Sequence, residues 1–556
     1  MVSRLKDLRI IISALICILV VALAVIRYPT YDSVNYLNSD ATWHTLLTIE
    51  AYNETPIAQH LFLPIVSLGE ETDKWISWGA TIPDAKGNYY YTSFSPAGYF
   101  LPWLFIKIFG LSVSESSLYV FNTFLMMLSA VLWYIFLSWI YRESEPICAQ
   151  TVPVIGVILY IAAPEILHGM GIVYWHQSIM QVTLLLQMMM WYLCRYRGSR
   201  GGRIAFYILV ILNPYIEWTG YVANVGFALA ELMAEWGKNI TRGLCTALKI
   251  GGGTVLSFIL FAGHYLLRVD STAFFNALMN RFIARNYTTD ILLPEMFGGY
   301  FKSFLYIWIV LLVLIIWSIA RDHRLEFPNG LLMLVMSFPL LENVIMKEHA
   351  LYYTYDRMKG IYILVFVCCE LASQIIHGYL GEKKQGVWKG IQIQTDLTLR
   401  IGRLNFDSIS SYGVRRACTV LLMMFFAITG SLLNYSSYYG NTNYVWVVDY
   451  RNDNELLADY INGNYESSLL VTNGFVVRGY LNMLFGRGIL EWYDYDTGSL
   501  IDYACEKGMD YAIILDQNTG VWNMYQISQA TVYDLNNGDV SYVYVENGAV
   551  YVDIAQ

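Results

Sequence analysis

The stretch YYYTSFSPAGYFLPWLFIKIFG, Tyr89–Gly110, is apolar enough to invite reading as a transmembrane span, yet it makes a poor one. It opens on hydroxyl-bearing residues, carries Pro96 and Pro102, and holds Lys107 just before its end. It reads instead as a surface helix: Pro96 suits the first turn, Tyr99 and Trp103 suit a water–lipid boundary, and Phe109-Gly110-Leu-Ser ends it.

The surrounding chain is that of a polytopic membrane protein. It is 56% apolar, 16% aromatic and 14% charged, with a mean hydropathy of +0.42, whereas a soluble chain is about 25% charged. A net charge of -9 without a basic tract excludes nucleic acid as a partner. The eight cysteines have neither framework nor metal-ligand spacing, which argues against a disulfide scaffold and a cysteine zinc site. No HExxH, Walker or GxGxxG pattern supports a zinc peptidase, nucleotide hydrolase or dinucleotide enzyme. The N-terminal MVSRLKDLR and its apolar run lack a small-residue cleavage site, so they read as an uncleaved first span.

Apolar runs of spanning length fall near 10–28, 116–140, 151–167, 176–194, 203–216, 219–236, 246–267, 302–319, 329–346, 360–379 and 417–434, about eleven transmembrane helices. The fifth run is short and ends at Asn213-Pro214, as a broken span would. Basic residues at Arg4, Lys6, Arg9, Arg142, Arg195–Arg203, Lys238, Arg242, Arg321, Arg324 and 383–416 then all share the side of the N-terminus. The positive-inside rule makes the topology N-in, C-out. Residues 1–435 form the membrane domain, with a first outer loop at about 29–115 and further outer loops at 269–301 and 347–359. Residues 436–556 form a small external α/β domain, with strands at SLLVT, YAIILD, VSYVYV and AVYVDI and helices at NELLADYIN and GSLIDYACEKG. Asp453 suits a cap of the first of these helices, and Asn547-Gly548 marks a hairpin.

Within the first outer loop, LNSDATWHTLLTIEAYNETP reads as an amphipathic surface helix capped by Ser39 or Asp40 and stopped before Pro56. An outer aspartate soon after the first span, Ser39-Asp40-Ala-Thr-Trp-His44, is followed by Tyr91-Thr-Ser-Phe-Ser-Pro96-Ala-Gly98-Tyr99 and then Phe109-Gly110-Leu-Ser. This series resembles the C-type glycosyltransferase superfamily, which includes aminoarabinose transferases and protein O-mannosyltransferases. The resemblance implies transfer of a sugar from a polyprenyl or dolichyl phosphate at the outer membrane face, with the catalytic carboxylate at Asp40. The chain departs from the aminoarabinose branch at Ser95, where that branch places a lysine just before the proline.

Such a transfer needs a base for the acceptor hydroxyl and a binding site for the departing phosphate. Asp40 is the candidate base; its competing role is that of a plain helix cap. The segment MKEHALYYTYDRMKG, 346–360, gathers His349, Tyr353 and Arg357 as candidate phosphate ligands, a composition that an interfacial anchor belt shares. Arg281 and Arg285 are a second set, able to close over the donor or to meet lipid headgroups. His44, Glu217, Glu71 and Tyr99 are secondary candidates; Glu217 stands out because an acidic group near membrane depth is costly unless it is functional or paired. His176 reads as a core histidine satisfied by Gln177 or backbone. A divalent metal is left open, as is an acceptor of glycolipid, polysaccharide or protein type. The alternatives are a transporter or flippase for a lipid-linked or polar substrate, and an inert membrane protein with an external binding domain.

Overall fold

The computed structural model describes residues 2–32, 38–69, 74, 80–144, 146–286, 293–322, 324–377, 391–394, 412–440, 451–472, 478–492, 496–516, 527 and 529–555. Each of the eleven apolar runs is helical in it, over Val2–Asp32, Glu115–Ile140, Pro146–Ala162 with Pro164–Leu167, His176–Arg197, Arg200–Ile216, Thr219–Glu235, Ile240–Tyr265, Leu305–Asp322, Gly330–Ser337 with Leu340–Ile345, Ile361–His377 and Tyr412–Gly440. By length and composition, four helices among the described residues are long and apolar enough to cross a membrane alone, and six are if each sharply bent pair counts as one span. The bent pairs turn by 60° at Ala163 and by 87° at Phe304. The expected break at Asn213-Pro214 is displaced: the Arg200–Ile216 helix runs through Pro214 and stops at Glu217, which is fully extended at φ −161° and ψ 151°.

The helices share one apolar core. Arg27 lies inside it, donating to the carbonyls of Leu23 at 3.1 Å and of Leu167. The second donation supplies a partner in the bent pair, where carbonyls fall outside the helix ladder.

Ahead of the second long apolar helix, β1 (Thr81–Pro83) pairs with β2 (Tyr89–Tyr91), Ile82 facing Tyr90. The chain then enters the helix Ala97–Phe109, as the sequence predicts, with Pro96 as its N-cap. It stops at Gly110, whose φ of 62° is left-handed and favours glycine. A second small ribbon joins β3 (Arg324–Phe327) to β4 (Ile391–Gln394).

The other helix of the loop is not the half-exposed surface helix that its apolar pattern predicts. Over Ser39–Glu54 the apolar Leu46, Leu47 and Ile49 are buried, and so are Thr42, Thr45 and Thr48. The reason is a cover on its second side, the Arg478–Phe485 helix of the C-terminal unit.

That unit is a six-stranded sheet with its own apolar cores. Its strands are β5 (Ser468–Thr472), β6 (Leu490–Glu491), β7 (Tyr511–Asp516), β8 (Gln529–Asp534), β9 (Val540–Glu546) and β10 (Ala549–Ile554). They lie in the order β10-β9-β8-β7-β5-β6, parallel on either side of β5 and antiparallel from β7 onward. The hairpin at Asn547-Gly548 forms, with φ of 52° and 74° at the two turn residues. The helix Arg451–Asn464 begins two residues before Asp453, which therefore sits in the first turn rather than at the cap. Arg451 ties the unit to the helical body through Glu115 at 3.2 Å.

Candidate active site

Asn38, not Ser39 or Asp40, occupies the N-cap of the Ser39–Glu54 helix, with a left-handed φ of 61° and no side-chain bond into its own helix. Its amide reaches across the molecule instead. Nδ2 donates to the Tyr352 carbonyl at 3.1 Å, and Oδ1 accepts from the Thr354 amide at 3.2 Å and its hydroxyl at 3.3 Å. This clasp sets the start of the helix against the 347–360 segment, so the two loops singled out in the sequence meet.

Asp40 follows in the first helical turn. It is solvent-exposed by surface area, yet protein surrounds it closely enough that burial raises its carboxyl to about 6, against hydrogen bonds from the Ala41 and Asp40 amides that pull it down. The charge of Asp40 is felt by Tyr353, whose phenol is raised to about 12 by burial and then by Asp40. Tyr353 packs on the ring of His349 at 5.2 Å and on Tyr355 at 5.6 Å.

Arg285 stacks over Phe94 at 6.0 Å and is buried. It and Arg281 both act on Tyr91: burial pushes that phenol up, but the two guanidiniums and hydrogen bonds from Ser93 and Arg281 outweigh it and leave it below its usual value. Tyr91 in turn meets His44 edge-on at 4.5 Å. His44, four residues after Asp40, is held neutral: burial lowers it to about 3, with help from His176 and Arg281. His349 is also held well below its usual value, by burial first and then by Arg285, Lys359 and Arg281. The structure thus links Asp40 to Tyr353 and His349, and brings His44, His349, Arg281 and Arg285 within electrostatic reach of one another.

The Tyr91–Gly98 backbone lies mostly outside a hydrogen-bonded ladder, so its carbonyls need donors from elsewhere. Tyr265 donates to the carbonyls of Tyr91 at 2.8 Å and Phe94 at 2.7 Å, Trp218 to Ser93 at 2.8 Å, and Tyr174 to Gly98 at 2.5 Å. A Cβ at Gly98 would stand 2.2 Å from His176 Nδ1, so only glycine admits that ring. His176 is packed among Gly98, Tyr99 and Trp175, and Gln177, its expected partner, donates to Asp356 at 2.8 Å. Tyr99 is buried, 5.6 Å from the His44 ring. Ser95 caps its own helix, accepting from the Ala97 amide at 3.2 Å.

Two expected site residues are placed otherwise. Arg357 is 1% exposed, and its Nε pairs with the equally buried Glu165 at 3.2 Å. Glu217 is buried, and its Oε2 accepts from the Thr219 amide at 2.8 Å, capping the helix that follows. Burial and the nearby Glu342 raise its carboxyl above the ordinary range. Glu71 lies outside the described residues.

Beside His349 is a cluster that sequence reasoning missed. Lys359 contacts Glu342 at 2.6 Å and Asp356 at 3.1 Å, Thr219 donates to Glu342, and Asp356 Oδ2 lies 3.8 Å from His349 Nδ1. Nothing in the sequence separates these residues from anchors at helix ends, because their partners lie on different helices. Among the described residues no group of three or more His, Cys, Asp or Glu is arranged to hold a metal ion.

The fold is one that solved oligosaccharyltransferase and ArnT structures share. Among solved structures, the chain is similar to the apo oligosaccharyltransferase of Archaeoglobus fulgidus, at TM-score 0.55 and 10% identity, covering 91% of this chain and 69% of that one. It is similar to the same organism's AglB in complex with an inhibitory peptide and a dolichol-phosphate, at TM-score 0.54 and 10% identity over 92% and 69% of the two chains. ArnT from Cupriavidus metallidurans bound to undecaprenyl phosphate aligns at TM-score 0.50 and 11% identity over 97% of both chains. No protein-family model matches the sequence, and neither does any curated protein.

Proposed function

We propose that the chain is an integral membrane glycosyltransferase that moves a sugar from a polyprenyl or dolichyl phosphate to an acceptor hydroxyl. The observation that carries this reading is Asp40, open to water, raised to about 6, and carried on a helix whose start Asn38 clasps to the 347–360 segment. A base poised near neutrality takes a proton more readily than an ordinary carboxylate while remaining ionised at pH 7. The acceptor oxygen attacks the anomeric carbon, its proton passes to Asp40, and the bond to the lipid phosphate breaks. Arg281 and Arg285 meet the charge that develops on the departing phosphate, and Tyr91, Tyr353 and neutral His349 offer hydrogen bonds to its oxygens. Arg357, which sequence reasoning put first as a phosphate ligand, instead braces the loop through Glu165.

The likeness to structures holding dolichol-phosphate and undecaprenyl phosphate supports a lipid phosphate as the donor's carrier. By the same reading the transfer takes place at the outer membrane face, with residues 436–556 as an external domain. The acceptor is a glycolipid, polysaccharide or protein. The test is to incubate the purified chain with a panel of polyprenyl-phosphate sugars and measure lipid-phosphate release. Release from at least one donor, lost in Asp40→Asn, supports the proposal; equal release by the variant refutes Asp40 as the base. Net movement of lipid-linked substrate across vesicles without release would favour the flippase reading instead.

A further inference from the structure

The helix that carries Asp40 has the Tyr91–Tyr99 segment on one side and the C-terminal unit on another. The contact with that unit is backbone on backbone. A Cβ at Gly479 would stand 2.6 Å from the carbonyl carbon of Trp43, 2.7 Å from its oxygen and 2.9 Å from the His44 nitrogen. Contacts under 3.0 Å with main-chain atoms, unlike those with a flexible side-chain tip, are relieved only if one helix moves.

The next residue reinforces the crossing. Tyr480 is buried and meets the Trp43 ring edge-on at 4.9 Å. Its hydroxyl accepts from Asn454 Nδ2 at 3.1 Å, and Asn454 Oδ1 accepts from the Ile527 amide at 3.2 Å. Trp43 borders the apolar core of the helical body and that of the C-terminal unit alike. Trp43 and His44 lie three and four residues after Asp40, the spacing that puts side chains on neighbouring positions of one helical face. A shift at Trp43 is therefore a shift of Asp40, and Asn38 clasps only the end before it.

We infer that Gly479 and Tyr480 are positioning residues: the C-terminal unit holds the Asp40 helix in register with the groups proposed to bind the phosphate. This rests on the reading of Asp40 as base. It gives the C-terminal unit a role in the transfer step that does not require it to touch the donor.

The experiment compares Gly479→Ala and Tyr480→Leu with wild type in the full-length purified chain. It measures lipid-phosphate release under saturating donor, affinity for undecaprenyl phosphate by titration, and the pH profile. Displacing a reacting group by about 1 Å costs on the order of 10²-fold, so Gly479→Ala should lower kcat by about 10–10²-fold. Tyr480→Leu, which keeps the close crossing, should lower it several-fold. Undecaprenyl-phosphate affinity should stay within about twofold, because Arg281, Arg285 and Tyr91 lie on other elements; preserved affinity also shows that the variant is folded. The acidic limb of the profile should move from about 6 toward the ordinary aspartate value as the packing around Asp40 loosens. Wild-type kcat and an unmoved limb in both variants would overturn the inference, as would a loss confined to lipid-phosphate affinity. An active Asp40→Asn sinks the base assignment itself. An inactive Asp40→Asn beside an unaltered Gly479→Ala sinks only the positioning role.

Discussion

Among the carboxylates about the 347–360 segment, four are treated by the fold in two ways. Asp40 is left open to water and without an ion pair among the described residues. Asp356, Glu342 and Glu217 are sealed within the protein around Lys359, itself 3% exposed. Burying charges is costly, and a cluster of this kind survives only when its members satisfy one another by ion pairs, hydrogen bonds or protonation. On the proposed function, the contrast separates a carboxylate available for chemistry from carboxylates that fix a scaffold, although all four come from segments of similar polarity.

The sharpest way to break the comparison is to neutralise one member of each set. Asp40→Asn should lower lipid-phosphate release by about 10⁴-fold, at the upper end of what a positioned base contributes, with an unchanged melting temperature. Lys359→Met should do the reverse. Removing the cation from a buried cluster costs roughly 3–5 kcal/mol, read as a large fall in thermal stability, while kcat per folded molecule stays within a few-fold of wild type. Arg285→Ala should cost on the order of 10²–10³-fold in kcat/KM, the scale of losing one donor to developing charge. Arg285→Lys should recover only part, because the planar fork is lost.

The pH profile sharpens the same contrast. Asp40 is raised in the folded chain and acts as a base only when ionised, so activity should rise with pH through about 6 and level off above. Below that value each further unit should cost about tenfold. The smallest effect belongs to Glu217→Gln. Its carboxyl is raised, by burial first and Glu342 next, so it tends toward the neutral form that glutamine mimics. Stability should change by about 1 kcal/mol or less, and kcat by less than about threefold.

The sequence carried the local features and missed those that depend on distant partners. Each apolar run marked a helix, though Ser271–Asn286 and Leu293–Ser303 fell in what reads as an outer loop, and the strand patterns of β5, β7, β9 and β10 were readable because each is a short alternating or fully apolar run beside a turn. Asp40 is a candidate from its place after the first apolar helix, and Arg281, Arg285 and His349 from their loops. The clasp by Asn38 was not, since an asparagine before a helix reads as its cap. The helix Arg478–Phe485 escaped notice because it is short and glycine at its second position reads as a breaker. The burial of the Asp40 helix on a second side followed from that omission. The partner of Arg357 was hidden for a related reason: a guanidinium suited to phosphate is equally suited to a carboxylate, and Glu165 lies 192 positions earlier.

The clasp between Asn38 and Thr354 spans 316 positions along the chain. A ribosome making this protein would release the Asp40 helix early and the segment that receives it only after more than half of the polypeptide had been threaded. Until then the helix has nothing to close on. The Asn38–Thr354 contact thus forms late in synthesis, as a property of assembly and not of any single segment.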